Sequence, residues 1–415
     1  MKESVTNDRI PVVIGALNLM RCFGMERVPF YAVTSSGNRR VYYSRYCQKG
    51  FSIGDPNKDI KVSMSDLKKI LNEIGTGHPF FFDKDGHLKM VSTYYDEISG
   101  IFNVVLPPKE IICMSLDKNS FYDYAVQKNW PIPPTYNLQE FKRNSDFPVV
   151  LKPATRVDWH IDKVVKELDE VPCKALIVGN SKELDHFTDS FRKSDIEFVL
   201  QRYIAGPESN VLSFHSFFTR ESKPLGYFVG KKIRTFPVVG GDSSYLQLIK
   251  YDDLSNRVIK MSLEILRSIN YVGPIKIDYK WDKERDQIYL LEINPRNNLW
   301  NYLGAVSGIN LPYLAYRYCV FNEANEVKRD YRTNYRWIHC KKDYHAFLSL
   351  WKKREISPSR WLRSLCFRKV YNTFSWKDLK PMVYVLIDSF RGFFRKTQRV
   401  LFISLNKAFN TFNHM

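Results

Sequence analysis

The chain has 415 residues, 44% hydrophobic and 15% aromatic, enough for two or three packed domains and too rich in core-forming side chains for a disordered protein. Its seven cysteines (Cys22, Cys47, Cys113, Cys173, Cys319, Cys340, Cys366) are odd in number, scattered and never spaced as CxxC. That argues against a disulfide framework or a zinc site and fits reduced thiols in the cytoplasm. The net charge of +19 is uneven: residues 331–415 carry +14 of it, 18 Lys/Arg against four Asp/Glu, so the front three quarters is nearly balanced.

The chain opens on MKESVTNDRIPVVIG, without the cationic stretch and apolar run of a signal peptide, and nowhere reaches the roughly 18 apolar residues of a membrane span. The run IPVVIGAL, an amphipathic patch over Leu19–Phe23 and VPFYAVT have the strand–helix–strand spacing of a parallel α/β sheet. A helix-like stretch over Ser65–Ile74, a strand at PFFFD, a helix-like stretch over Leu88–Ile101 and a strand at FNVVL continue the alternation. Only Gly15 and Gly24 flank the first turn, so this Rossmann-like layer carries no dinucleotide fingerprint.

From about Ile111 the pattern changes. A helix holding Lys118 and Phe121–Val126 runs into the proline loop WPIPPTY; then come FPVVLKP, KALIV, FVLQRYI, SFHSFFT, PLGYFVGKKIR, a helix over Arg257–Ile269, and the pair PIKIDYKW and IYLLEINPR. Strands joined by short turns predict an α+β domain with antiparallel sheets. An aromatic, basic extension follows, broken by residues 357–359 (SPS) and Pro381. The expected units are 1–110, 111–325 and 326–415.

The densest chemical signal is GPIKIDYKWDKERDQIYLLEINPRNN. Residues two apart share a strand face, so Glu292, Asn294 and Arg296 start co-facial, and a hairpin through DKERDQ would set Asp278 opposite them. Two carboxylates and an amide oxygen suit a hard cation such as Mg²⁺ carrying nucleotide phosphates. Glu292 interrupts an apolar strand, a costly place for a charge without compensation. The plainer alternative is an ordinary hairpin with a strand-end glutamate. Lys118 and Lys152 are single lysines in apolar or helical surroundings, each alone no more than a surface lysine.

In their order along 111–320 these segments resemble the ATP-grasp superfamily, and the chain as a whole resembles the predicted carboxylate–amine ligases of that superfamily related to D-aspartate ligase. The resemblance implies a Rossmann-like layer followed by an ATP-grasp domain, ATP with Mg²⁺ or Mn²⁺ as cofactors, and small carboxylate and amine substrates. It implies that Lys118 and Lys152 hold ATP phosphates, that Gln201, Arg202, Tyr203 and Ile204 of QRYIAGPE meet the adenine, and that Glu208 meets the ribose. It makes Asp278, Glu292 and Asn294 the metal ligands, Arg296 the arginine at the reacting phosphoryl, and Lys276 a phosphate-facing cation. One departure stands out. The superfamily follows its second lysine with a glycine-rich lid, whereas KPATRVDWHIDKVVKELDEVPCKALIV contains no glycine. Arg156, His160 and Lys163 are offered there instead, with Lys174 as a third phosphate contact.

Substrate identity is thinly encoded. Lys231, Lys232 and Arg234 on one strand could face an acidic substrate, although strand neighbours alternate and a solvated cationic face fits equally. His215 is a strand histidine or, less simply, a base. In the extension, Val383, Ile387, Phe390, Phe394, Leu401, Leu405 and Phe409 recur at helical spacing with Arg391, Arg395, Lys396 and Arg399 between them. That pattern predicts a basic amphipathic helix, either lying on a membrane surface or packed on the body. A non-catalytic ATP-binding or scaffolding protein remains an alternative reading, and a nucleic-acid-binding protein acting through the basic tail is a further one. The tail lacks any recognised nucleic-acid-binding motif, so no nucleic-acid partner is expected.

Overall fold

The first strands are apolar throughout rather than alternating, as strands buried on both faces must be. In the computed structural model, which describes residues 9–391 apart from 36, 139–140, 142–145, 155–174, 194–196, 239 and 325, β1 (Val12–Ile14), β2 (Phe30–Thr34) and β4 (Phe80–Phe82) are buried at every position. With β3 (Cys47–Ser52) they form a four-stranded parallel sheet in the order β3-β2-β1-β4. Successive side chains serve opposite cores: Val12, Ile14, Phe80 and Phe82 pack on one face, Val13, Phe30, Ala32 and Phe81 on the other. Helix α1 (Leu17–Met25) follows β1, and α2 (Ile60–Ile74) is capped by Asp59, whose carboxylate accepts from the Lys61 and Val62 N–H groups.

Two expectations for this layer are corrected. The stretch expected as one helix to Ile101 is broken at Tyr94 into α3 (Asp85–Thr93) and α4 (Tyr95–Ile101). The expected strand at FNVVL makes only an isolated bridge, Asn103 to Pro79, and runs on as a connector to α5 (Lys109–Leu116).

Helix α6 (Lys118–Gln127), capped by Asp117, leads into a small antiparallel sheet ordered β5-β8-β6-β7, with β5 Thr135–Tyr136, β6 Val149–Pro153, β7 Leu176–Val178 and β8 Phe198–Arg202. Helix α7 (Ser181–Lys193) covers it. Next comes a seven-stranded sheet in the order β13-β12-β9-β10-β11-β14-β15. Its members are β9 (Val211–Phe218), β10 (Pro224–Phe236), β11 (Asp242–Leu248), β12 (Gly273–Asp282), β13 (Gln287–Asn294), β14 (Tyr335–Ile338) and β15 (Arg368–Tyr371). Helix α8 (Asp253–Ser268) packs under it through Val258, Ile265 and Leu266. Helices α9 (Trp300–Ser307) and α10 (Leu311–Phe321) return to α1.

The region after residue 325 is not peripheral to this architecture. β14 pairs with β11 and β15 with β14, so the extension supplies the last two strands of the large sheet. Helices α11 (Cys340–Lys352) and α12 (Pro358–Ser364) lie between them in sequence. The segment after β15 then docks on the first layer: Arg21 and Asp378, each 3% exposed, pair at 3.6 Å, and Asp378 also accepts from Ser44 Oγ and the Arg45 N–H, both at 3.0 Å.

Candidate active site

The hairpin β12–β13 sets Asp278 directly opposite Glu292 and Lys276 opposite Asn294. How Glu292 escapes the core is a matter of one residue. Ile288 and Leu290 point into the core, and strict alternation would send Glu292 after them. Instead Tyr279 pairs with Leu290 while Asp278 pairs with Glu292, leaving Leu291 as a bulge. The bulge reverses the parity, so Ile293 returns to the core and Glu292 and Asn294 turn to the opposite face.

That face lines a cleft of about 820 Å³ walled by the small and the seven-stranded sheets and by residues just past β1 and β4 of the first layer. Asp278 is 4% exposed and accepts from Ser213 Oγ and from Lys276 Nζ, each at 2.5 Å; the same ammonium lies 3.9 Å from Glu292. Asn294 donates to Glu292 at 3.0 Å, and its amide oxygen accepts from Arg296 Nη2 at 3.3 Å. Arg296 Nε reaches Asp85 at 2.5 Å and Nη1 the Asp83 carbonyl at 3.3 Å. The hairpin is thereby tied to the end of β4. The oxygen-only trio fits a hard divalent cation, and an ammonium held between its two carboxylates marks the place as one built for positive charge. Among the described residues no cluster of three or more His, Cys, Asp or Glu side chains competes with it.

Lys118 opens α6 and donates to the Pro153 carbonyl at 2.5 Å, at the end of β6. Lys152, on β6, donates to Gln201 Oε1 at 2.9 Å. Burial pushes the Lys152 ammonium down to about 8, against the nearby Glu292 carboxylate, which pulls it up. The Gln201 side chain is consequently committed: it also accepts from Tyr122 and donates to Thr135. Arg202 stacks on Tyr289 and bonds its hydroxyl at 2.6 Å. Tyr203, Ile204 and Glu208 line the cleft just beyond β8. Lys280 pins that turn by donating to the Gly206 and Pro207 carbonyls at 2.9 and 3.0 Å.

Lys118, Lys152, Gln201, Arg202, Tyr203, Ile204, Glu208, Lys232, Lys276, Asp278, Glu292, Asn294 and Arg296 thus share one cleft. Lys174 and the loop cations Arg156, His160 and Lys163 lie outside the described residues. Arg234 does not join Lys232. A second bulge, at Ile233, pairs Lys232 with Leu246 but Arg234 with Tyr245, on opposite faces. Arg234 is buried in a two-pronged pair with Asp343 (2.8 and 3.0 Å) and stacks on Tyr245, so it is a structural arginine with no carboxylate to spare for. His215 is fully buried against Phe228 and Trp300, with burial pushing it well below the usual histidine range, and it does not line the cleft.

Several lining residues escaped the sequence reading: Asn18, Asp83 and Asp85 from the first layer, and Trp337 on β14 with His339 and Asn372 just past β14 and β15. For Asp83 and Asp85 a signal existed, since charged residues just past a parallel strand sit at the carboxyl end of the sheet, where ligands bind.

No family model matches the chain. It is 22% identical over 334 residues to D-aspartate ligase from Enterococcus faecium (strain Aus0004), an alignment covering 75% of this chain and 77% of that protein. The biotin carboxylase domain of Hydrogenobacter thermophilus 2-oxoglutarate carboxylase, solved with MgADP and bicarbonate, superposes with a TM-score of 0.57 at 14% identity, over 79% of this chain and 73% of that one. N5-carboxyaminoimidazole synthetase from Staphylococcus aureus, solved with ADP, gives 0.55 at 11% identity, over 78% and 80%.

Proposed function

The chain has the ATP-grasp fold and is related in sequence to D-aspartate ligase, and we propose that it is an ATP-dependent carboxylate–amine ligase, using Mg²⁺ and releasing ADP and phosphate. The observation that carries this reading is the convergence of Asp278, Glu292 and Asn294 with two lysines and the β8 hinge in one cleft. Neighbours of the same fold were solved with ADP or MgADP, which supports nucleotide and magnesium as the cofactors.

In this reading Asp278, Glu292 and Asn294 hold the magnesium ion, which supplies charge neutralisation to the triphosphate. Lys118 and Lys152 bind the phosphates, Arg202–Ile204 seat the adenine, and Glu208 accepts from the ribose hydroxyls. Gln201 works indirectly by positioning Lys152. Lys276, which lies between the two carboxylates, would offer its charge to the nucleotide phosphates, and Arg296 would steady charge at the transferred phosphoryl. The substrate carboxylate takes that phosphoryl, and the acylphosphate so formed is attacked by the amine, expelling phosphate. Positioning and electrostatics account for the acceleration, so no Ser/His or Cys/His nucleophile is needed. An ATP-consumption screen over amino acids and small carboxylates, with and without amines, tests the reading; silence for every pair sinks it.

A second element of the proposal concerns location. The helix over 380–391 exposes Val383, Leu386, Ile387 and Phe390 (65%), and Trp376 just before it is 81% exposed. Such a face suits peripheral attachment to an anionic membrane and a substrate that is a cell-envelope precursor. Among the described residues no helix is long and apolar enough to cross a membrane.

A further inference from the structure

Four buried side-chain atoms of cleft-lining residues lack a hydrogen-bond partner among the described residues. Arg202 Nε is on the small sheet. The other three, Asn18 Oδ1, Asp83 Oδ1 and Trp337 Nε1, share the wall where the first layer meets the last strands. Hydrogen bonds make that wall continuous. Asp83 holds its other oxygen on the Ala16 N–H at 2.8 Å. Two residues on, Asn18 Nδ2 donates to Asn372 Oδ1 at 3.0 Å, and the Asn372 N–H donates at 3.0 Å to the carbonyl of Ile338, the neighbour of Trp337. Asn18 and Trp337 are each only 2% exposed. Buried polar atoms are almost always partnered, so three unmet ones on one cleft wall call for a ligand.

We infer that this wall is a subsite for a primary ammonium group of the substrate, with Asp83 Oδ1 and Asn18 Oδ1 as its acceptors. An ammonium brings three separate donors and one positive charge, which matches one carboxylate and one amide oxygen. A divalent metal would need about six oxygens, far more than the two on offer. Trp337 Nε1 donates to an oxygen of the same molecule. Burial raises the Asp83 carboxyl above the usual range, and a bound ammonium is the partner that keeps it ionised. The subsite adjoins the hairpin cluster, because Arg296 bonds both the Asp83 carbonyl and the Asn294 side chain. That the bound molecule enters ligation rests on the function proposed above; that an ammonium binds here does not.

Thermal melting of the full chain tests the subsite without turnover, alone and with Mg²⁺ and a non-hydrolysable ATP analogue. The probes are D- and L-amino acids, their 2-hydroxy-acid counterparts, and the corresponding decarboxylated amines. At least one amino acid or amine is expected to raise the melting temperature, and the counterpart lacking nitrogen to need at least tenfold higher concentration. If only the amino acid acts, the ammonium belongs to the carboxylate substrate; if the bare amine acts as well, it belongs to the amine. Asp83→Asn, which preserves shape and the bond to Ala16, should abolish the shift, and adding Asn18→Asp should restore it by returning the charge to the subsite. Should Asp83→Asn fail to fold, Asn18→Leu with a normal unliganded melt takes its place and must lose the shift. The inference is overturned if the hydroxy acid works equally well, if the folded variant responds like the parent, or if no nitrogen-bearing probe shifts the melt under either condition. A missing shift with the ATP analogue, beside an intact amino acid response, would instead count against the nucleotide reading alone.

Discussion

Glu292 faces the cleft because Leu291 steps out of register, and with Asn294 it supplies two of the three members of a small oxygen site. Replacing either one leaves the hairpin's core residues untouched but removes an oxygen that, in the proposed function, the metal and the reacting phosphoryl depend on. Glu292→Gln and Asn294→Ala are therefore expected to lose turnover while melting near the parent temperature. Retention of more than about a tenth of the parent rate, about 1.4 kcal/mol of barrier, would refute the role. Lys152 allows a sharper test. Its ammonium titrates near 8 before ligands arrive, depressed by burial and partly rescued by Glu292. Nucleotide phosphates bound beside it, as proposed above, would favour the charged form and raise that value. Binding should then take up a proton between about pH 8 and the higher bound-state value, with affinity full below about 8 and falling above it. Calorimetry in buffers of different ionisation enthalpy reads this uptake, and Lys152→Ala should eliminate it. Uptake unchanged in that variant would place the titrating group elsewhere. The hairpin cluster was legible in the sequence because its members lie within 21 positions and period two governs strands. Asn18 and Trp337 were not, since only the fold brings residues so far apart onto one wall.

At the scale of elements, two bulges decide what period two could not. One turns Glu292 off the core; the other sends Arg234 away from Lys232 and into the pair with Asp343. Bulges leave no reliable mark in a single sequence, which is why a lysine and an arginine two apart read as partners. The extension was misleading for another reason. Its charge and aromatics suggested an appendage, yet the short runs YRWI and RKVY are strands that finish the large sheet. Their pairing with β11 is a long-range choice that local pattern does not express. Among the contacts that dock this extension is Asp378, which meets Arg21, Ser44 and the Arg45 N–H away from water. Asp378→Ala strands a buried guanidinium and should cost on the order of 3–5 kcal/mol. Denaturant unfolding should show the loss, with the double replacement Arg21→Met, Asp378→Leu recovering much of it. A single variant as stable as the parent would show that the contact does not hold the extension.

At the scale of the molecule, the first layer, the two ATP-grasp sheets and the extension all contribute to one cleft, but among the described residues its lining ends at Asn372, so chemistry and the proposed attachment should separate when only the end of the chain is deleted. Removing 382–415 leaves Asp378, β14 and β15 in place. It sacrifices the stacking of Tyr384 on Tyr43 and the exposed Val383, Leu386, Ile387 and Phe390. Nucleotide binding is expected to survive, while co-sedimentation with anionic liposomes falls. The parent's binding should also weaken with salt, since each surface Lys or Arg contributes about 1 kcal/mol. If the parent fails to sediment even at low salt, or truncation mainly lowers the melting temperature, the helix belongs to the body and not to a membrane.

In the proposed reaction, transfer of ATP's terminal phosphoryl drives the joining of a carboxylate to an amine. Quantifying nucleotide products alongside the amide, for the substrate pair that stimulates ATP consumption, tests it most directly. One ADP and one phosphate per amide formed, with no turnover when either the carboxylate or the amine is withheld, is the expected result. AMP and pyrophosphate in that stoichiometry, or ADP formed at the same rate without either substrate, would contradict it.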